Sequence, residues 1–175
     1  MISYNYNIKR IVFGIFVFAG FSLLSLWLLI DPERFIHSYI LRKKIYIQTL
    51  GILGFTGSLI FVLSFILLLL NLKDKAIIIS DEFIIDNSKY ESIGKIDYKY
   101  ISDVKRIQNA LQIILKVPVI NIKKLNILQK ILMFMTNWKY KYSIIISCPI
   151  IKDCNVNKLQ KQIMMRLKKY NNRNT

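Results

Sequence analysis

Apolar residues are unevenly spread along this chain: residues 11–30 and 45–70 contain no charged side chain, whereas the sequence after Leu72 breaks into short alternating runs. At roughly 1.5 Å per residue, a helix through either block is long enough to cross about 30 Å of hydrocarbon. The pattern therefore predicts a transmembrane α-hairpin in residues 1–72, with spans at about 11–30 and 46–70. A small α+β domain follows over 73–170, and residues 171–175 form a flexible tail. Asp31 and Pro32 end the first block, because a carboxylate is costly in hydrocarbon and proline cannot continue the helix ladder. Residues 33–44, with Glu33, Arg34, His37 and Arg42, are too few for a domain and read as a turn back into the bilayer. Gly51, Gly54, Gly57 and Ser58 suggest a close-packing face for the first span or for a second copy of the chain.

Beyond Leu72 the period shortens. Residues 76–80 and 83–86 read as strands about a Ser80-Asp81-Glu82 turn, and Asp86-Asn87-Ser88 reads as an Asx-type reversal. Residues 90–93 and 95–97 suggest another strand pair bent at Gly94. Residues 101–106 read as a short helical turn or linker. Residues 111–117 form a strand closed by Pro118, and residues 142–147 a further strand stopped by Pro149. Within an insert at 119–140, Leu125, Leu128, Ile131, Leu132 and Met135 recur at helical spacing among Lys123, Lys124 and Lys130. Such a helix either packs on the sheet or lies against anionic lipid, with Phe134 and Trp138 as anchors. Asp153 or Asn155 can cap a last helix that buries Val156, Leu159, Ile163, Leu167 and Tyr170.

Charge changes the picture in one respect. The 175-residue chain is 54% hydrophobic yet carries a formal net charge of +16, and Lys and Arg greatly outnumber Asp and Glu after Leu72. Attraction to an anionic leaflet follows, worth on the order of 1 kcal/mol per basic residue near the surface. Positive charges flank both ends of the spans almost equally. An even number of spans, with no secretory cysteine pattern, leads to both termini being cytoplasmic at the inner membrane.

Chemistry-bearing motifs are sparse. No phosphate-binding glycine loop, dinucleotide fingerprint or metalloprotease signature is present, and no cofactor or metal is expected. His37 stands on the far side of the membrane from the serines of the domain, which precludes a triad. Cys148 and Cys154 could form a disulfide by their spacing, although reduced thiols are the plainer reading. Nucleic acid and small-molecule substrates are disfavoured for a domain held at a membrane without a recognition helix or aromatic platform.

The segments Ala76-Ile-Ile-Ile-Ser80, Ile84-Ile-Asp-Asn-Ser88, Ser92-Ile-Gly-Lys-Ile96 and Ile101-Ser-Asp-Val104 are similar to those of a family of uncharacterised bacterial membrane proteins. That family has two N-terminal spans and a pleckstrin-homology-like domain. The chain departs from it at residues 98–100, where a tryptophan and an acidic residue often stand. The resemblance implies a bent antiparallel sheet closed by a C-terminal helix, and it supplies no catalytic residue to carry over. The expected function is a non-enzymatic, membrane-anchored module presenting a basic domain to anionic lipid or to a protein partner. The alternative is an immunity or assembly component that binds one membrane protein through the 119–140 insert.

Overall fold

The computed structural model describes residues 1–36, 43–118, 126–137 and 142–173. The chain divides into two compact units, one of residues 11–69 and the other combining Met1–Arg10 with Leu70–Thr175.

The first unit holds two long apolar helices, α1 (Ile8–Ile30) and α2 (Lys44–Leu70), each long and apolar enough to cross a membrane. Their contacts run antiparallel. Phe18 stacks on Phe61 with ring centroids 4.9 Å apart and on Phe65 at 6.0 Å, while Ser25 and Leu29 meet the helix face at Gly54 and Gly51. A short 3-10 turn, Pro32–Phe35, follows α1, and Phe35 sets its ring edge-on to Trp27. His37 and Arg42 lie outside the described residues.

In the second unit, a four-stranded antiparallel sheet has the order β1 (Ile2–Tyr4), β2 (Ile77–Ile79), β3 (Phe83–Asp86) and β4 (Gly94–Asp97). A three-stranded antiparallel sheet follows, of β5 (Ile101–Ile107), β6 (Ala110–Leu115) and β7 (Ser143–Ser147). Among the described residues the unit also holds two helices, α3 (Ile127–Asn137) and α4 (Val156–Arg173). One core joins both sheets and α4: Ile77, Ile79, Ile84 and Ile96 meet Leu111, Ile113, Ile144 and Ile146, with Leu159, Ile163 and Leu167 closing it. In β2, β3 and β7, fully buried isoleucines alternate with half-buried ones, as a sheet with one more deeply covered face requires.

Three expectations change. Residues 2–4 are a strand registered on β2, Ile2 opposite Ile79 and Tyr4 opposite Ile77, so the domain begins before the apolar helices rather than at residue 73. Residues 101–106 belong to β5 and not to a helical turn; a bulge between Ile101 and Asp103 puts Ile101 and Val104 on the same face, and that three-residue spacing imitates a helix. Residues 90–93 form a loop, and only β4 continues from it. At the β5–β6 reversal, Gln108 adopts a φ of 47°, as a two-residue hairpin connection demands.

Local capping explains the helix starts. Asn155, and not Asp153, caps α4, its Oδ1 accepting from the backbone N–H of Asn157 at 3.0 Å and of Lys158 at 3.1 Å. Asp86, the last residue of β3, is buried, and its carboxylate accepts from Ser88 N–H, Ser88 Oγ and Ser92 Oγ at 2.9, 2.6 and 3.0 Å. That network fills the role of an Asx-type turn.

Candidate functional site

The α3 helix is built to show an apolar face to its surroundings. Its N-terminus is a reciprocal cap: Gln129 N–H donates to Asn126 Oδ1 at 2.8 Å, and Asn126 N–H donates back to Gln129 Oε1 at 3.2 Å. Two free donors are thereby satisfied at once. The same side chains moor the helix, since Gln129 Nε2 donates to the Tyr90 carbonyl at 3.0 Å and Asn126 Nδ2 to the Tyr90 hydroxyl at 3.2 Å. Leu132 is buried and Met133 packs on the core, which fixes the inward side.

The opposite side is apolar too. Ile127, Ile131, Phe134 and Met135, at steps of four, three and one, form a single stripe; Ile127 is 78% and Phe134 59% exposed. Lys130 is exposed on the same helix. Of the contact residues expected from sequence, Lys130 and Phe134 stand together on α3, whereas Lys123, Lys124 and Trp138 lie outside the described residues.

Among the helix-packing residues, a Cβ on Gly51 would come within 2.8 Å of Leu29 Cγ and 3.0 Å of the Ser25 carbonyl oxygen, and one on Gly54 would collide with Ser25 Oγ. Gly57 faces open space. Ser58 is buried and donates its hydroxyl to the Gly54 carbonyl of its own helix at 2.5 Å.

Two further surfaces escaped the sequence reading. On α4, the exposed Met164 and Met165 line a shallow groove of about 430 Å³ with Lys161, Lys168, Asn157 and Gln160. Methionines one and two places beyond the buried Ile163 were the available signal. A second groove of about 420 Å³ is lined by Asp81, Glu82, Lys95, Asp97, Lys99, Tyr170 and Arg173. Two of its carboxylates are paired locally, Asp81 Oδ1 with Arg166 Nη1 at 2.5 Å and Asp97 with Lys95 at 3.4 Å.

Burial raises the Glu91 carboxyl above its ordinary range, opposed by Lys89 with its Nζ 3.8 Å away. Among the described residues no three His, Cys, Asp or Glu side chains converge as a metal ligand set. Comparison with protein-family models, curated proteins and solved structures finds no match.

Proposed function

We propose that the chain is a non-enzymatic, membrane-anchored module whose domain rests α3 on an anionic lipid surface. The outward stripe of Ile127, Ile131, Phe134 and Met135 beside Lys130 carries this reading. Apolar side chains enter the headgroup boundary, and the ammonium group pairs with lipid phosphate. A contiguous exposed apolar stripe on a water-facing helix otherwise invites aggregation.

The anchoring follows from connectivity. Strand β1 precedes α1, strand β2 follows α2, and the two pair antiparallel. Ala76 N–H also donates to the Tyr4 carbonyl at 2.9 Å and Lys75 Nζ to Asn5 Oδ1 at 2.9 Å. Both connections to the apolar helices thus leave one strand pair, which supports a hairpin that crosses twice and returns to the side it left. We place that side in the cytoplasm of a bacterial cell, at the inner membrane. A pleckstrin-homology-like identity belongs to the same proposal, supported by sheets of four and three antiparallel strands and a C-terminal helix packed into their shared core.

Hydrogen exchange of the full chain in lipid nanodiscs tests the reading. The α3 amides should exchange at least several-fold more slowly in phosphatidylglycerol than in phosphatidylcholine, and Phe134→Ser should erase the difference. Equal exchange in both lipids rejects it. Protection that appears only when one other membrane protein is co-reconstituted shifts the site to the partner-binding alternative.

A further inference from the structure

Seven residues from Cys148 to Cys154 form a loop that both closes the domain and holds its N-terminal segment. Cys148 begins the 3-10 turn Cys148–Ile150 after β7, and Cys154 lies just before the Asn155 cap of α4. Between them, Ile151 bridges Tyr6 in antiparallel fashion. Asn7 N–H donates to the Ile150 carbonyl at 2.7 Å, Lys152 N–H to the Asn5 carbonyl at 2.9 Å, and Arg10 Nη1 to the Pro149 carbonyl at 3.3 Å. Four consecutive residues of the loop, Pro149 to Lys152, therefore clasp Asn5 to Asn7 and Arg10 in the first turn of α1.

The ends of this clasp meet. Both cysteines are free thiols, and Cys148 Sγ lies 2.7 Å from Cys154 Sγ. A covalent S–S bond is about 2.0 Å long, so bonding requires the sulfurs to close by well under an ångström. Cys148 is buried, while Cys154 is partly exposed, so only one of the pair is offered to a reagent.

The geometry points to a reversible disulfide between Cys148 and Cys154 that locks the loop on the N-terminal segment, with a small-molecule disulfide of the glutathione type as oxidant. The partly exposed Cys154 thiolate attacks one sulfur of the oxidant, breaking its S–S bond, forming a mixed disulfide and expelling one thiolate. Cys148 then loses its proton, and its sulfur attacks Cys154 Sγ, expelling the second thiolate. The two protein thiols are oxidised by two electrons, and the oxidant is reduced to two thiols. The hydrogen bond between the sulfurs supports this order, because it holds Cys154 below the ordinary thiol range and, together with burial, pushes Cys148 up. A thiolate is the attacking species, and the more acidic, accessible thiol reacts first. Under a reducing poise the pair rests as thiols.

The test uses the full chain in detergent micelles with oxidised glutathione as the probe. Labelled with maleimide after denaturation, oxidised wild type should show neither thiol; it should also show the mass loss of two hydrogens on one cross-linked peptide and, in the folded chain, amide exchange at Asn7 and Lys152 slowed about tenfold. Reduced glutathione should reverse all three. Cys148→Ser should instead accumulate a mixed disulfide at Cys154, and Cys154→Ser should leave Cys148 unmodified over the same time. A persistent mixed disulfide on wild type, a disulfide-linked dimer, or two thiols that stay reactive would each overturn the inference. So would a cross-link that leaves Asn7 and Lys152 exchange unchanged, since the loop would then hold nothing more tightly.

Discussion

The two units of this chain differ in how far small residues share in what they cover. In the sheet unit the covered side chains are large and branched: Ile77, Ile79, Ile84, Ile113 and Ile146 are fully enclosed. In the helix pair Ser25, Gly51 and Ser58 are covered alongside Ile11, Ile47 and Leu68, while Phe13, Phe16, Leu23 and Leu24 are exposed. Water explains the first arrangement, since removing apolar surface from it drives folding at about 25 cal/mol per Å². It cannot explain the second. Where the surroundings are as apolar as the side chains, close van der Waals approach between backbones takes over, and small residues are what permit it.

Core truncation should break this symmetry most strongly. Leu111→Ala removes a fully buried side chain between the two sheets and leaves a cavity, so the unit should lose roughly 2–5 kcal/mol. Leu24→Ala removes the same atoms from an exposed position on α1 and should change neither unit by more than about 0.5 kcal/mol. Urea midpoints of the β-sheet circular dichroism signal, taken on the full chain in micelles, measure the first. Thermal loss of helical signal measures the second. Comparable costs at the two positions would mean that α1 is covered on its Leu24 side, and the contrast would fail.

A glycine series sharpens the other half. Gly54→Ala forces its new methyl into Ser25 Oγ, and Gly51→Ala meets both a Leu29 side chain and a backbone oxygen. Each should destabilise the helix pair by about 1–3 kcal/mol, with Gly51 the more costly because a carbonyl cannot rotate away. Gly57→Ala meets nothing and should be neutral or stabilising by up to about 1 kcal/mol, as the backbone loses freedom in the unfolded chain. Melting of the three variants in one mild detergent ranks them. If Gly57→Ala is the most harmful, a contact other than the α1–α2 pair governs that face.

Residues 51, 54 and 57 also show why some of the site was legible and some was not. Spacing by three looks like a stripe in the sequence, but each step drifts by about 60° around a helix with 3.6 residues per turn. Gly57 is carried off the face that Gly51 and Gly54 share, while Ser58, at a step of four from Gly54, returns to it. Period errors of the same kind hid β5, where the bulge after Ile101 replaced alternation with a three-residue step. The apolar helices are legible by unbroken apolarity, and β2, β3 and the buried stripe of α4 keep one period from end to end. Strand β1 could not be read this way, because Ile2–Tyr4 has only three residues and its partner lies beyond both apolar helices. A contact at that separation leaves no local trace.

The smallest effect concerns a polar group inside the core of isoleucines. Tyr98 is fully enclosed, its ring centroid is 5.9 Å from that of Tyr170, and its hydroxyl donates to the Ser80 carbonyl at 3.1 Å. Burial pushes its pKa up to about 12; the Arg166 guanidinium opposes the shift and Asp81 adds to it. An unfolded tyrosine titrates near about 10. Above that pH the unfolded chain releases a proton that the folded chain keeps, so stability present below about pH 10 falls as the pH rises toward about 12. Tyr98→Phe removes both the hydroxyl and its titration. At neutral pH it should cost about 1 kcal/mol for the lost hydrogen bond, and its stability should then decline less steeply than wild type between about pH 10 and 12. Tyr4 and Tyr6 are also raised by burial and keep their own alkaline dependence in both proteins, so the difference between the two curves isolates Tyr98. Urea midpoints of the sheet signal at a series of pH values should bring the two lines together as the pH rises. Parallel lines would mean that Tyr98 ionises as freely in the fold as outside it, and that this corner of the core is open to water.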